Sequence, residues 1–159
     1  MTESDIEVVS QGMARVSVVV PVHNEADAIG PFLSALDDAL DTDALNITYE
    51  VVFVNDGSRD ATERQIELEI SKGAAIKLVN LSRNFGKEAA LAAGLEHADG
   101  DVVIPMDVDL QDPPSLIPEM LEHWRKGAMI VNAVRSDRSL DSFAKRTTAR
   151  AFYRIFNFL

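Results

Sequence analysis

The chain has 159 residues, a length that suits one domain with a hydrophobic core of ordinary size. It contains no cysteine, which excludes disulfides, thiolate metal sites and cysteine nucleophiles. The net charge of −11 argues against general nucleic-acid binding, and no signal peptide or apolar run of about 18 residues is present, so we expect the chain as given to be soluble.

The negative charge is unevenly distributed along the chain. Residues 135–159 carry six basic and two acidic side chains, a local charge of +4, so the preceding 134 residues carry −15. A basic, aromatic end on an acidic body indicates an anionic partner at that end alone.

Runs rich in Val and Ile alternate with segments of helical period, which predicts a Rossmann-like α/β domain. Its sheet should be mainly parallel, with helices on both faces. The predicted strands span 15–22, 49–55, 75–81, 101–106 and 128–134. The predicted helices span about 29–40, 60–72, 87–98 and 113–126, with Gly73 and Gly127 as helix ends. We divide the chain into an N-terminal extension (1–15), a core (16–135) and a basic amphipathic segment (136–159).

Polar residues follow each of the first four predicted strands. The four stretches read PVHNEAD, NDGSRDAT, SRNFGKEAA and DVDLQD. In open α/β sheets, ligands bind in the crevice beyond the carboxyl ends of the strands. The four stretches therefore predict one ligand site at that edge.

Two interpretations compete for these polar residues. Asn24, Ser58 and Asp60 are residue types that also form turns and helix N-caps without any chemical role. Asp107 and Asp109 are harder to explain in this way, because like charges so close repel unless water or a cation neutralises them. We favour a metal or phosphate site over a solvated turn for this pair.

Several nucleotide chemistries fit the sequence poorly. The stretch after the first strand lacks the GxGxxG of dinucleotide-binding domains, and the chain lacks the P-loop pattern GxxxxGK[ST]. A phosphatase with an aspartate nucleophile usually carries its DxD pair after an early strand, whereas here the pair follows the fourth. A glycosyl or nucleotidyl transferase that uses Mg²⁺ or Mn²⁺ to neutralise a diphosphate fits better.

Four stretches in order carry a family resemblance. VSVVVPVHNEADAI, VVFVNDGSRDAT, LSRNFGKEAALAAGL and DVVIPMDVDLQDPPSLIPEML resemble the successive motifs of family 2 glycosyltransferases with the GT-A fold. The likeness is strongest to the branch of polyprenyl-phosphate sugar transferases, such as dolichol-phosphate mannose synthases and bacterial polyprenyl-phosphate glucosyltransferases. It covers 16–159, and the chain looks like a truncated catalytic domain, so we expect nucleotide binding with little turnover.

The resemblance implies an activity and a set of roles. A metal-dependent, inverting enzyme would move a sugar from a UDP- or GDP-sugar to a polyprenyl or dolichyl phosphate. The implied nucleotide-binding residues are Pro21, Asn24, Glu25, Asp56, Arg83, Lys87 and Asp107. Asp109 and Gln111 would hold the metal, and Asp107, Asp109 and Arg135 would be catalytic. The acceptor phosphate would meet Arg135, Arg146 and Arg150, although a solvated helix face explains the last two equally well. The resemblance implies that Asp56 accepts a hydrogen bond from the base or ribose. The family often has a second acid at the position of Asn55, which slightly weakens any role for Asn55 and leaves that of Asp56 untouched.

No histidine needs to be catalytic, because a phosphate acceptor is already an anion near pH 7. We therefore expect His97 and His123 on helix surfaces and do not count His23 among the pocket residues. The C-terminal segment combines basic residues with an apolar face, which favours a helix on an anionic membrane over one packed on the sheet. The full protein is then expected at the cytoplasmic face of a membrane. A homo-oligomer, a metal-dependent nucleotidyltransferase and a non-catalytic nucleotide-sugar-binding module stay open.

Overall fold

The fold was analysed in a computed structural model that describes residues 12–134. In that range the strands are β1 (Ala14–Val22), β2 (Ile47–Asn55), β3 (Ile76–Asn80) and β4 (Val102–Pro105). The helices are α1 (Ala26–Ala39), α2 (Thr42–Leu45), α3 (Thr62–Ser71), α4 (Lys87–His97) and α5 (Ile117–Arg125), and a 3₁₀ turn (Pro114–Leu116) precedes the last of them.

The strands form one parallel sheet in the order β3-β2-β1-β4. In the centre of the sheet, Val18 of β1 lies opposite Val51 of β2 and Ile104 of β4. All four strands point the same way, so their carboxyl ends share one edge. The predicted parallel α/β architecture is confirmed.

The sheet is covered on both faces by helices. Val18 and Val20 of β1 face a cluster that includes side chains from α1, α3 and α5, whereas Val19 faces a smaller cluster with Ala90 of α4. Because successive strand residues point to opposite faces, a sheet buried on both sides needs continuous apolar runs such as VSVVVPV. Phe32 and Phe53 meet edge to face in the larger cluster, with ring centroids 6.1 Å apart.

Helix α4 lies unusually close to the sheet at Gly94. A Cβ atom at this position would lie 2.3 Å from Cγ1 of Val19 and 2.9 Å from Cγ2 of Val54. Only the absence of a side chain permits this approach. The contact fixes α4 against β1 and β2, and so fixes the N-terminal end of the helix at the carboxyl edge of the sheet.

The predicted fifth strand over 128–134 is wrong in the described part of the chain. None of residues 128–134 has strand conformation. Met129, Ile130 and Val134 are 97%, 81% and 81% exposed. The neighbouring strand β4 is short and ends at Pro105, which has no N–H to donate to a ladder. An apolar run predicts a strand but cannot supply its pairing partner.

Two further features complete the described residues. Helix α2, which was not predicted, is a single turn whose N-cap Asp41 accepts a hydrogen bond from the Ala44 N–H at 3.0 Å. Among the described helices, none combines the length and apolarity that a bilayer span requires. The predicted C-terminal segment (136–159) lies outside the described residues.

Candidate functional site

A cavity of about 280 Å³ opens at the carboxyl edge of the sheet. Its walls come from the ends of β1, β2 and β4 and from the loop that enters α4. The lining residues are Pro21, Val22, His23, Glu25, Asp56, Asn84, Gly86, Lys87, Asp107, Val108 and Asp109. We call this cavity the cleft. Of the predicted nucleotide-binding residues, the cleft brings together Pro21, Glu25, Asp56, Lys87 and Asp107.

The loops after β1 and β2 are tied together by hydrogen bonds. Asn24 has a left-handed backbone with φ of 57°, its N–H donates to Oγ of Ser58 at 3.0 Å, and its Oδ1 accepts from the Arg59 N–H at 2.8 Å. The Glu25 N–H donates to Oγ1 of Thr62 at 2.9 Å. Asn24 thus builds the loop, as the turn-forming interpretation predicts, and does not line the cleft itself.

Asp60 extends this network toward α1. Its Oδ1 accepts from the Thr62 N–H at 3.0 Å and its Oδ2 accepts from the Ala26 N–H at 3.3 Å. The hydrogen bond from the Thr62 hydroxyl is the main reason that the pKa of Asp60 lies below its ordinary value. Asp60 is therefore an ionised loop-forming residue, which supports the structural interpretation of that position.

His23 lines the cleft and is half-buried there. Its Nδ1 is 2.7 Å from the Asp56 carbonyl oxygen, which can only accept, so Nδ1 carries a proton. Its Nε2 is 3.0 Å from Nδ2 of Asn24, an amide donor, so Nε2 accepts. These contacts fix the orientation of the imidazole, whose ring forms part of the cleft wall. Both ring nitrogens are used to join the two loops.

The Asp56 carboxylate sits beneath the loop that leads into α4. Asp56 is 3% exposed, its Oδ1 accepts from the Phe85 N–H at 2.7 Å and its Oδ2 accepts from the Gly86 N–H at 2.9 Å. The adjacent Gly57, with φ of 64°, approaches the same loop so closely that a Cβ atom would lie 2.4 Å from the Arg83 carbonyl carbon. The end of β2 is thus joined to the β3–α4 loop at two points.

Charged groups of both signs face each other across the cleft. Nζ of Lys87, the first residue of α4, lies 2.6 Å from Oδ1 and 2.7 Å from Oδ2 of Asp107. Asp109 is exposed beside them, and its Oδ1 accepts from the Gln111 N–H at 3.1 Å. Leu110, between Asp109 and Gln111, has φ of 58°, and this conformation turns the chain sharply after β4.

The donor set after β4 suits a hard divalent cation. Asp107 and Asp109 offer carboxylate oxygens on the same wall, and oxygen is the ligand that Mg²⁺ and Mn²⁺ prefer. Within 12–134, no three His, Cys, Asp or Glu side chains cluster as a complete metal cage. A cation held by two carboxylates keeps coordination positions for phosphate oxygens and water, the usual arrangement for Mg²⁺. Gln111 is not among the residues that line the cleft.

Arg83 lies on the other side of the β3–α4 loop. Its guanidinium carbon is 4.8 Å from the centroid of the Phe85 ring, a cation–π contact at an exposed site. Arg83, Asn24 and Asn84 line a neighbouring polar cavity of about 560 Å³, which shares His23 and Asn84 with the cleft. The remaining predicted site residues, Arg135, Arg146 and Arg150, lie outside the described residues.

Several cleft residues were not predicted from the sequence. His23, Asn84, Gly86 and Val108 line the cleft, and none of them was among the predicted site residues. The glycine in SRNFGK was the available signal for Gly86, because its φ of 95° is a backbone conformation that favours glycine. Val108 carried no signal, since one apolar residue between two aspartates is as typical of a strand end as of a ligand site.

Comparison with known proteins identifies the family of the chain. The family described as Glycosyl transferase family 2 matches residues 17–159. The bactoprenol glucosyl transferase of Shigella phage SfV is 48% identical over 143 residues, which is 90% of this chain and 46% of that protein. The chain therefore spans about half the length of this relative.

Solved structures agree with the fold. The mannosyltransferase PcManGT from Pyrobaculum calidifontis, in complex with GDP-Man and Mn²⁺, matches with a TM-score of 0.58 and 30% identity. That match covers 70% of this chain and 32% of the other. Residues 1–349 of TarS from S. aureus, in complex with UDP, match with a TM-score of 0.52 and 28% identity over 60% of this chain and 27% of the other. With its GT-A sheet and a family match over nearly its whole length, the chain belongs to glycosyl transferase family 2.

Proposed function

We propose that the chain forms the nucleotide-sugar-binding part of a metal-dependent, inverting glycosyltransferase. The donor is a UDP- or GDP-sugar, the ion is Mg²⁺ or Mn²⁺, and the acceptor is a polyprenyl phosphate. The acceptor class is supported by the name of the SfV phage relative, a bactoprenol glucosyl transferase, and the donor class by the GDP-Man and UDP bound to the two matched structures.

One observation carries the proposal: two carboxylates and an ammonium group meet at the carboxyl edge of the sheet. Asp107 and Asp109 lie on one wall of the cleft, and Lys87 reaches Asp107 from the other. A nucleoside diphosphate with its cation has the complementary pattern of charges. In the proposed complex, the carboxylates hold the ion, Lys87 contacts diphosphate oxygens, and the nucleoside lies toward His23 and Asp56.

The reaction needs little acid–base chemistry from the protein. An oxygen of the acceptor phosphate forms a bond to the anomeric carbon from the face opposite the leaving group. The bond from that carbon to the diphosphate oxygen breaks, and its electron pair leaves with the nucleoside diphosphate, so the configuration inverts. The bound ion supplies positive charge that stabilises the departing diphosphate, an effect of several kcal/mol in such sites. Lys87 adds to this stabilisation as a hydrogen-bond donor to an anion.

We further propose that residues 136–159 bring this site to an anionic membrane surface, at the cytoplasmic face in the full protein. Each basic residue near such a surface contributes about 1 kcal/mol, and burial of the aromatic and aliphatic side chains of the segment would add to this. Co-sedimentation with vesicles containing an anionic lipid should therefore weaken in high salt. A chain shortened by residues 142–159 should stay in the supernatant, and equal sedimentation of both chains would contradict the proposal.

Product analysis on the protein in its full length tests the function. The proposed enzyme releases a nucleoside diphosphate from a nucleotide sugar and forms a polyprenyl-linked sugar, both measurable by mass spectrometry. Release of pyrophosphate from a nucleoside triphosphate would instead indicate a nucleotidyltransferase. Ligand binding without either product, with every UDP- and GDP-sugar tried, would indicate a binding module.

A further inference from the structure

The buried carboxylate of Asp56 points to a role that the sequence resemblance does not give it. We propose that Asp56 is a positioning residue: it fixes the loop of residues 82–86 and thereby places Lys87 opposite Asp107. Its effect on diphosphate binding rests on the function proposed above, whereas its effect on the loop does not.

The hydrogen-bond geometry is specific for a carboxylate. Two consecutive N–H donors, from Phe85 and Gly86, meet the two oxygens of Asp56 at 2.7 and 2.9 Å. An ionised Asp offers only acceptors, whereas an Asn at the same place offers one oxygen and one NH₂ group. The NH₂ group would face an N–H donor, so the isosteric change Asp56→Asn leaves one of the two amides without its partner.

The loop needs such a clamp because of its own conformation. Gly86 has φ of 95° and ψ of 158°, and this residue is the N-cap of α4 without a side chain to cap the helix. Gly57, in the turn that follows β2, lies directly against Arg83 and Asn84 at the start of the loop, and the two hydrogen bonds to Asp56 hold its end. The loop is thus held from the strand end that lies beneath it.

The consequence for the site falls on Lys87. This residue directly follows Gly86, and its ammonium group reaches both oxygens of Asp107. Gly94 anchors the helix body on the sheet, but the direction of the first turn depends on the loop that enters it. Asp56 therefore acts on the diphosphate end of the cleft through Lys87, although Asp56 also lines the cleft and a direct contact with the nucleoside is the competing explanation.

Amide hydrogen exchange of the ligand-free chain, followed by NMR, tests the clamp alone. In Asp56→Asn we expect the Phe85 and Gly86 amides to exchange about tenfold faster. Asp60→Asn is the matched control, because Asp60 also accepts two backbone N–H groups in the neighbouring loop, and it should leave both rates within about twofold. Unchanged rates in Asp56→Asn would overturn the proposal. If that variant does not fold, the unmodified chain still provides a test. The proposal is overturned if its Phe85 and Gly86 amides exchange as fast as those of an unstructured peptide.

A double-mutant cycle separates positioning from direct contact. Affinities are measured for UDP and GDP with Mn²⁺, and for uridine and guanosine without phosphate. We expect Asp56→Asn to weaken binding of the diphosphate about tenfold and to change the affinity for the nucleoside by no more than about twofold. In a chain that already carries Lys87→Gln, the same substitution should weaken diphosphate binding further by at most about twofold. The positioning role would be overturned if Asp56→Asn weakened nucleoside and diphosphate binding equally and its effect on binding added in full to that of Lys87→Gln. Failure of the unmodified chain to bind either diphosphate would count against the proposed function, while the exchange experiment still decides the clamp.

Discussion

Nζ of Lys87 lies 2.6 Å from Oδ1 and 2.7 Å from Oδ2 of Asp107, so the ammonium group shares one carboxylate across the cleft. A cation that binds Asp107 must share this carboxylate with the ammonium group or displace the ammonium group from it. Once displaced, Lys87 stays at the cleft wall, where it can reach the oxygens of a diphosphate. The ion pair thus links cation binding to the availability of a phosphate-binding group.

Lys87→Gln should separate these two effects. Removing the ammonium takes away the positive charge that is paired with Asp107, so Mn²⁺ alone should bind more tightly, by up to about 1 kcal/mol at this exposed pair. Binding of UDP or GDP with Mn²⁺ should weaken by about 1.5–3 kcal/mol because a charge-assisted contact is lost. Calorimetry measures both. Lys72→Gln, which removes an ion pair with Glu69 on α3, should change neither, and two shifts in the same direction would contradict this account.

Asp109→Asn should weaken metal-dependent nucleotide binding by about 1.5–3 kcal/mol. Asp109 is the second acid of DVD, lines the cleft and is exposed, so the substitution should not disturb the fold. The measurement is a nucleotide titration with and without Mn²⁺, with circular dichroism to check folding. Asp101→Asn, at the opposite edge of the sheet, is the control. An unchanged dependence on Mn²⁺ in Asp109→Asn would refute its assignment as a metal ligand.

Gly94→Ala should destabilise the chain by about 1–3 kcal/mol because the added methyl group would overlap Val19 and Val54. The free energy of unfolding from urea titration measures this. Gly30→Ala in α1 is the matched control, since nothing lies within 4 Å of the added atom and alanine favours a helix by roughly 0.5–1 kcal/mol. Equal effects of the two substitutions would show that α4 does not approach the sheet as described.

Acid should destabilise the chain partly through Glu50. Burial alone would raise the pKa of this carboxyl, but hydrogen bonds from Ser17 and Lys77 outweigh burial, so its pKa in the folded chain is lowered. The contribution of Glu50 to stability is therefore fully present above its ordinary pKa of about 4.3 and is lost as the pH falls through the lowered value. In Glu50→Gln, the slope of unfolding free energy against pH should flatten below about pH 4.5. An unchanged slope would contradict this assignment.

The sequence predicts the four central strands of this domain and their helices better than the segment that follows α5 and the short turn α2. Valine-rich runs such as VSVVVPV indicate strands buried on both faces, and the structure confirms four parallel strands and their helices. The same signal failed for 128–134, because pairing depends on a partner strand and not on the run itself. The turn α2 was missed because four residues are too few to show a helical period.

The sequence also predicted only part of the candidate site. Strand ends are visible in the sequence, so Asp56, Lys87, Asp107 and Asp109 could be placed on one edge before the structure was known. What each side chain contacts depends on loop geometry. The residue type of Asn24 is compatible with both a turn and a place in the pocket, and only its hydrogen bonds decide for the loop. The ring orientation of His23 has no sequence pattern that would predict it.

Calorimetric titration of the chain with UDP and GDP, each with and without Mn²⁺, tests the central claim most directly. The account predicts that at least one of the two nucleotides binds the unmodified chain, more tightly with Mn²⁺ than without it, because the diphosphate and the carboxylates of Asp107 and Asp109 share the cation. Binding that is the same with and without Mn²⁺, or no binding of either nucleotide with Mn²⁺ present, would contradict it.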